Sequence, residues 1–449
     1  MNSRERTEIL YIDPRIIHRG IWPELGILLT SGWVLALWFG YGVRLENEVN
    51  NEFFTGTVLS LGLANIMVSL TFWGIIHSKM ATVRTQVRIS LMPILTVVLS
   101  ATFLFGSIIP IIRYGNDFMM WFSASTLTAS HAALLVVLQY SVVAFGVFRG
   151  FWMTFFAMAL SVSSLVYFGP DLSVPSHFII TAAANLLGAA SIVFAIWRRG
   201  VSVNSGVARL KQIFSKPSFF LTGFLTVSSL WYVALIHWQF TDHEAVSGGI
   251  IRFSTRDGSV LFGFLALVPG GWLTHLFLRK RFLSNMRKFR RKIEGGSSLS
   301  EIREKKRDIW RSVKRGIGNL IAIQGIIGLG LISVMGMEVR EVHGVIINGA
   351  LFAGVAGGMV FVGLLLFVVK VLMSMGESRS ALTAVVIFFL GNLLFSSVAM
   401  LIKEEAIGLG TGFAAATAFG VGLIQLKQII GDLEFEVFSH LRGQTLKTN

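Results

Sequence analysis

The sequence predicts an all-α polytopic membrane protein, with about twelve transmembrane helices in two six-helix lobes and both termini cytoplasmic. Three observations predict it. Apolar spans recur along the 449 residues, positive charge lies almost wholly in alternate connecting segments, and the spans themselves are nearly free of charge. The spans fall near 21–42, 55–77, 89–112, 118–147, 150–168, 176–197, 218–239, 259–278, 317–336, 344–369, 380–401 and 406–426. Most approach the ~20 residues a helix needs to cross a hydrocarbon core of about 30 Å. A soluble chain of this length needs polar helix faces, and 53% hydrophobic against 14% charged residues does not supply them. Inside lipid the backbone must satisfy its own hydrogen bonds, which selects helices.

Charge orients the spans. With the N-terminus inside, segments 1–20, 78–88, 148–149, 198–216, 279–316, 370–379 and 427–449 hold 33 of the 39 basic residues. The outer loops hold Arg44, Arg113, Arg252, Arg256, Arg340 and Lys403. The positive-inside rule therefore favours this orientation strongly. The net charge of +15 becomes a property of one face, suited to anionic lipids, and no nucleic-acid motif accompanies it. The chain has no cysteine, so disulfides, thiol chemistry and Cys metal sites are excluded. No cleavable signal peptide is apparent before the first span.

The organisation expected is an N-terminal lobe 1–197, a basic linker 198–217, a C-terminal lobe 218–431 and a cytoplasmic tail 432–449. Two six-helix halves are a common transporter plan, although no residue-level repeat links these two. The longest outer loop is Phe240–Gly258. The largest polar piece is the basic segment 279–316, with fifteen basic and four acidic residues. Phe282, Met286, Phe289 and Ile293 recur at i, i+4, i+7 and i+11, one helical face. Gly295-Gly296-Ser297-Ser298 breaks the pattern, Ser298 and Glu301 form a capping-box spacing, and Leu299, Ile302, Ile309 and Val313 make a second stripe. Such a hairpin is expected to lie on headgroups or to dock a cytoplasmic partner, through Arg287, Lys288, Arg290, Arg291, Arg303, Lys305 and Lys306.

Ionisable residues inside a membrane are functional candidates. Here they are His131 and His237, with Glu24 at the cytoplasmic end of the first span. Glu24 also reads as a carboxylate favoured by a helix N-terminus. His131 lies in the most polar span, with Ser123, Thr126 and Ser130 at i, i+3 and i+7, and with Thr128 and Gln139. These groups either join helices by hydrogen bonds or line a hydrophilic route. Trp231 and Trp238 flank His237, as interfacial anchors or as sugar-stacking rings. Asn65, Asn185, Gln324, Asn348 and Asn392 are isolated polar residues expected to bond between helices, and Gly354/Gly358 and Gly408/Gly412 are GxxxG pairs expected to pack closely. No GxxxxGK[ST], HExxH or Asp-x-Asp pair is present, so no cofactor, metal or catalysis is expected.

Several stretches resemble one family. "KIEGGSSLSEIREKKRDIWRSVKRGIGNLIAIQGIIGLGL" (Lys292–Leu331), "LTGFLTVSSLWYVALIHWQF" (Leu221–Phe240) and "FLALVPGGWLTHLF" (Phe264–Phe277) carry the likeness. "LLTSGWVLALW" (Leu28–Trp38), "FGVFRGFWMTFF" (Phe145–Phe156) and "DLEFEVFSHL" (Asp432–Leu441) are weaker echoes. They resemble the PelG-type inner-membrane exporters of exopolysaccharide, divergent members of the multidrug/oligosaccharidyl-lipid/polysaccharide (MOP) flippase superfamily. The resemblance implies a twelve-helix, two-lobe transporter in the inner membrane. It also implies a glycan polymer as substrate, and a cytoplasmic glycosyltransferase and membrane subunits that bind a cyclic dinucleotide as partners. An Asp-Lys pair follows the seventh-span Trp in that family, whereas Trp231 is followed here by Tyr232, Val233 and Ala234. The expected function is export of a nascent glycan through an inter-lobe cavity, by lobe rocking or by the push of polymerisation. A lipid-linked oligosaccharide or lipid flippase of the same fold, and a non-transporting scaffold of a synthase complex, are the alternatives.

Overall fold

The computed structural model describes residues 56–448 except 58, 70–82, 115, 146, 169–171, 199–216, 241–254, 336–338 and 343–344. The first span with Glu24, the end of the second span, linker residues 199–216 and most of the loop Phe240–Gly258 lie outside the described residues. The helices are α1 (Leu59–Ser69), α2 (Val83–Tyr114), α3 (Phe118–Phe145), α4 (Val147–Phe168), α5 (Val174–Arg198), α6 (Pro217–Phe240), α7 (Thr255–Phe264), α8 (Leu267–Phe277), α9 (Leu283–Glu294), α10 (Leu299–Met335), α11 (Gly349–Ser374), α12 (Ser378–Ile402) and α13 (Ile407–Thr448). Six of them are long and apolar enough to cross a membrane, and shorter apolar helices accompany them. The all-α expectation holds with one addition. An antiparallel hairpin, β1 (Val339–Val342) with β2 (Val345–Asn348), pairs Val339 with Asn348 and Val342 with Val345. It occupies what the sequence reads as loop and the start of a span, because Val345-Ile346-Ile347 is continuous in hydropathy with α11.

The chain forms two compact units. Among the described residues, the first comprises those from 56 to Leu265 and from Val339 to Phe352, and the second those from Ala266 to Met335 and from Ala353 to Thr448. The first unit thus takes α6 and α7 as well as the helices before the linker. The division at 265/266 falls where helix breaks between α7 and α8. Pro269 explains the break: it has no N–H to give the carbonyl of Leu265, and its ring crowds that carbonyl.

Each unit is built around one helix with protein on every side. In the first it is α3, buried throughout 130–141; in the second it is α11, buried throughout 362–373. Their starts are capped. Asp117 Oδ1 accepts from the N–H of Met120 at 3.0 Å, and Asn348 Oδ1 accepts from Ala350 and Leu351 at 3.0 and 3.1 Å. An Asp or Asn cap of this kind contributes ~1 kcal/mol. Asn348 is therefore a helix cap rather than a polar residue within a span. The outer helices present apolar side chains outward instead, among them Ile326, Leu329 and Leu401, which is the surface lipid covers.

The basic segment differs from its expected form. Its two helices are not separate surface elements. α8 runs through a π-turn (Leu278–Phe282) into α9 without interruption, and α10 is a single 37-residue helix that includes the next span. Phe282, Phe289, Ile293, Ile302, Ile309 and Val313 are buried and Met286 is half-buried, so protein covers most of both apolar stripes, while Leu299 is exposed. The turn is set by sequence. Gly296 (φ +65°) supplies a left-handed residue, and Ser297 N–H and Gly296 N–H donate to Lys292 O and Ile293 O, a Schellman cap. Ser298 Oγ then accepts from Glu301 N–H at 3.4 Å, while the Glu301 carboxylate meets Lys292 at 2.9 Å across the turn. Gly296→Ala should cost about 1 kcal/mol, seen as a small drop in melting temperature of the purified protein without loss of folding.

Candidate functional site

The centre of the first unit is polar. Ser60 Oγ on α1 lies 2.8 Å from His131 Nδ1 on α3 and donates to Thr57 O at 2.9 Å. One residue earlier on α3, Ser130 Oγ accepts from Asn185 Nδ2 of α5 at 3.4 Å, and Asn185 Oδ1 accepts from Ser161 Oγ of α4 at 2.6 Å. All five side chains are buried. Adjacent residues on α3 therefore tie together four helices. In an apolar surrounding, each such bond spares a polar group that would otherwise cost about 1–3 kcal/mol unpaired. Asn185 bonds between helices as expected; its partners Ser130 and Ser161 are not legible in the sequence, since i→i+3 or i+4 spacing says nothing of contacts between helices.

The other candidates on α3 are placed as follows. Ser123 Oγ, Thr126 Oγ1 and Thr128 Oγ1 donate back to Met120 O, Phe122 O and Ala124 O, one turn behind on their own helix. Gln139 is buried two turns beyond His131, and neither atom of its amide has a hydrogen-bond partner among the described residues. Trp231 is buried in the first unit. Its ring stands edge-on to Phe264 with centroids 6.1 Å apart, and a Cβ on Gly62 would come within 2.8 Å of the indole. It is neither an interfacial anchor nor an open stacking face. His237 and Trp238 belong to the last turns of α6, and their side chains lie outside the described residues.

The second unit has its own buried polar points. Gln324 of α10 donates from Nε2 to Met359 O at 2.9 Å and approaches Ala266 O at 3.4 Å. The amide is held between Gly270 of α8 and Gly363 of α11. A Cβ at Gly363 would stand 2.6 Å from Nε2, and one at Gly270 would stand 2.7 Å from Cδ. Gly363→Ala should lower the melting temperature more than Gln324→Leu, because the first strands a buried amide while the second removes it; detergent melting curves of the two variants check this. Between α12 and α13, Ser396 Oγ contacts Asn392 Oδ1 at 2.6 Å and Thr411 Oγ1 at 3.2 Å.

Sequence reasoning missed Lys370. Its charge ends the expected span at 369, yet α11 continues to Ser374 and Lys370 is buried within it. Each central helix thus carries a buried basic side chain, His131 in α3 and Lys370 in α11. Among the basic-segment candidates, Arg287, Lys288 and Arg291 are exposed and Arg290 is half-buried. Lys305 pairs with Asp308 at 2.9 Å. Lys306 pairs with Glu434 of α13 at 2.6 Å, and Arg303 reaches the same carboxylate at 3.7 Å. The two contacts with Glu434 bind the hairpin to the C-terminal helix, and with the Lys305–Asp308 pair within α10 they occupy three of the candidate cations.

Solved structures share this architecture. An outward-facing MATE multidrug transporter of the MOP superfamily has a TM-score of 0.57 at 12% identity, covering 96% of this chain and 98% of that one. A MATE transporter in complex with MaL6 gives 0.55 at 13% identity, over 96% and 99%. A MOP-superfamily transporter from Pyrococcus furiosus, described as having a binding pocket of reversed polarity, gives 0.52 at 12% identity, over 97% and 100%. No curated protein sequence matches the chain. The fold is that of a multi-pass membrane transporter of the MOP type. The sequence also matches the PelG family, putative exopolysaccharide exporters (EPS-E), across residues 177–438, and the chain belongs to that family.

Proposed function

We propose that the protein moves a nascent exopolysaccharide across the inner membrane, by alternating access or by the push of polymerisation, with its termini in the cytoplasm. Membership of the exporter family is the observation that carries this reading, and the MOP fold supports it. On the chain itself, Gln139 adds support: a buried amide without a partner among the described residues offers a donor and an acceptor of the kind sugar hydroxyls take. Ser123, Thr126, Ser130 and His131 on the same helix, and His237 and Trp238 on α6, complete the proposed set of glycan contacts, with Trp231 left out because Phe264 and Gly62 cover its ring. The partners proposed are a cytoplasmic glycosyltransferase and membrane subunits of a Pel-like synthase, with anionic lipids around the basic face.

Movement of a lipid-linked oligosaccharide is the second reading, and Lys370 favours it. An ionisable group buried in a spanning helix is what coupling to an ion or a phosphate requires. The test is gene deletion, with secreted and cell-retained polysaccharide measured together. Export predicts that secreted polymer falls while retained glycan rises, and that the wild-type gene restores both. Unchanged secretion after deletion sinks the export reading. Translocation of a fluorescent lipid-linked sugar by the protein in proteoliposomes supports the second.

A further inference from the structure

The helices of the second unit continue well past the end of a hydrocarbon core. The 37 residues of α10 make about 55 Å, against the ~30 Å a core takes. Exposure marks where α10 leaves the lipid. Ile321, Ile326, Leu329 and Val334 are exposed and apolar, whereas Arg303, Arg307, Arg311 and Arg315 are exposed and charged. Leu299–Arg315 therefore extend about 25 Å beyond the core. α9 packs along them as the unbroken continuation of α8, and α13 joins them past Lys427, held by the Lys306–Glu434 pair and by Lys306 Nζ donating to Gly431 O at 3.0 Å. Three helices thus form a stalk.

We propose that this stalk is the docking surface for the acidic face of a soluble cytoplasmic protein; the inference rests on the proposed topology, which puts the stalk in the cytoplasm. Arg287, Lys288 and Arg291 recur at i, i+1 and i+4 on α9, are exposed, and make no ion pair among the described residues. Arg307 on α10 is in the same condition. Phe435, next to the Glu434 that fastens the stalk, is 75% exposed. Exposed arginines and an exposed aromatic on one stalk are the residue types enriched in protein interfaces. Distance argues against lipid as the occupant. The tip is about 28 Å from the core edge and Arg287–Arg291 are roughly 15–20 Å from it. A headgroup layer adds only about 6 Å, and charges are screened beyond ~8 Å at physiological salt. Like charge disfavours a second copy of the stalk.

The cysteine-free chain permits a direct test with the full-length protein in nanodiscs. A fluorophore on Ser297→Cys at the tip should escape quenching by headgroup spin labels, in zwitterionic lipid and with phosphatidylglycerol added. Fluorescent poly-L-glutamate, the acidic probe, should bind, and R287E/K288E/R291E should weaken that binding at least about tenfold. In cells the same triple reversal, and separately Phe435→Ala, should lower secretion at unchanged protein level. Quenching of the tip in phosphatidylglycerol overturns the proposal by laying the stalk on lipid. Poly-L-glutamate binding unaffected by the reversal overturns it, as does wild-type secretion by both variants. Labelling of Ser297→Cys from outside intact cells overturns it through the topology. The nanodisc results do not depend on export, so failure of the export reading in the deletion assay is separately visible.

Discussion

A single added methyl group at position 408 is expected to destabilise the protein severely, and a valine there to leave no folded material. The GxxxG pairs of α11 and α13 pack against each other, backbone on backbone. A Cβ at Gly358 would lie 2.5 Å from Gly408 O, and one at Gly412 would lie 3.1 Å from Gly358 Cα. A Cβ at Gly408 would run into the backbone of Gly354 and Val355. Overpacking a core usually costs about 1–3 kcal/mol because side chains can rotate aside. Here the obstruction is main chain, so two helices must move apart along α11, the helix at the centre of the unit. That loss exceeds the ~1 kcal/mol that alanine gains over glycine in a helix. Gly420 on α13 has nothing within 4 Å of where a Cβ would stand, so Gly420→Ala serves as the control. Fluorescence-detected size exclusion should show wild-type protein and Gly420→Ala as one monodisperse peak, Gly408→Ala with a markedly lower melting temperature, and Gly408→Val aggregated. A wild-type melting curve for Gly408→Ala would remove the crossing from the account.

How much of this is legible in the sequence depends on the distance over which each property is decided. Spans are decided locally, by hydropathy over about twenty residues, so most described helices start or end within a few residues of the expected positions. The Schellman turn at Gly296 and the Ser298 cap are local too and can be read. Contacts between helices are not. The two GxxxG pairs are visible as motifs, but nothing in them says that each is the other's partner. Asn348 looks like a polar residue in a span because the strand before it is as apolar as the helix after it. Lys370 is lost because a charge marks the end of lipid only where the helix faces lipid, and this helix is enclosed by protein. The apolar stripes of α9 and α10 predict burial at most of their positions, Leu299 excepted, and say nothing of what covers them, since amphipathicity measures only that a face is apolar. Trp231 shows the same limit: a tryptophan near the end of a span is interfacial by composition, and only Gly62 and Phe264 make it core.

Replacing His131 should separate the structural from the transporting role of the polar centre, with the largest expected loss of secretion of any single change in the first unit. Ser60 has one hydroxyl proton. If it goes to Thr57 O, then Ser60 can only accept from His131, and the imidazole carries its proton on Nδ1. Nε2 is then the basic atom of the ring. Asparagine places an N–H near the position of Nδ1 and nothing at Nε2; leucine supplies neither. His131→Asn should therefore keep the α1–α3 bond, fold, and melt within a few degrees of wild type, while His131→Leu should lose ~1 kcal/mol through the lost bond to Ser60, whose hydroxyl still donates to Thr57 O. Secretion in the deletion strain should fall by about tenfold or more with either variant if Nε2 handles glycan or proton during transport. Ser60→Ala should behave in the opposite sense, weakening the fold while leaving Nε2 and much of the secretion intact. If His131→Asn secretes like wild type, the histidine is a strut between helices, and the proposed glycan contact in the first unit falls to Gln139 instead.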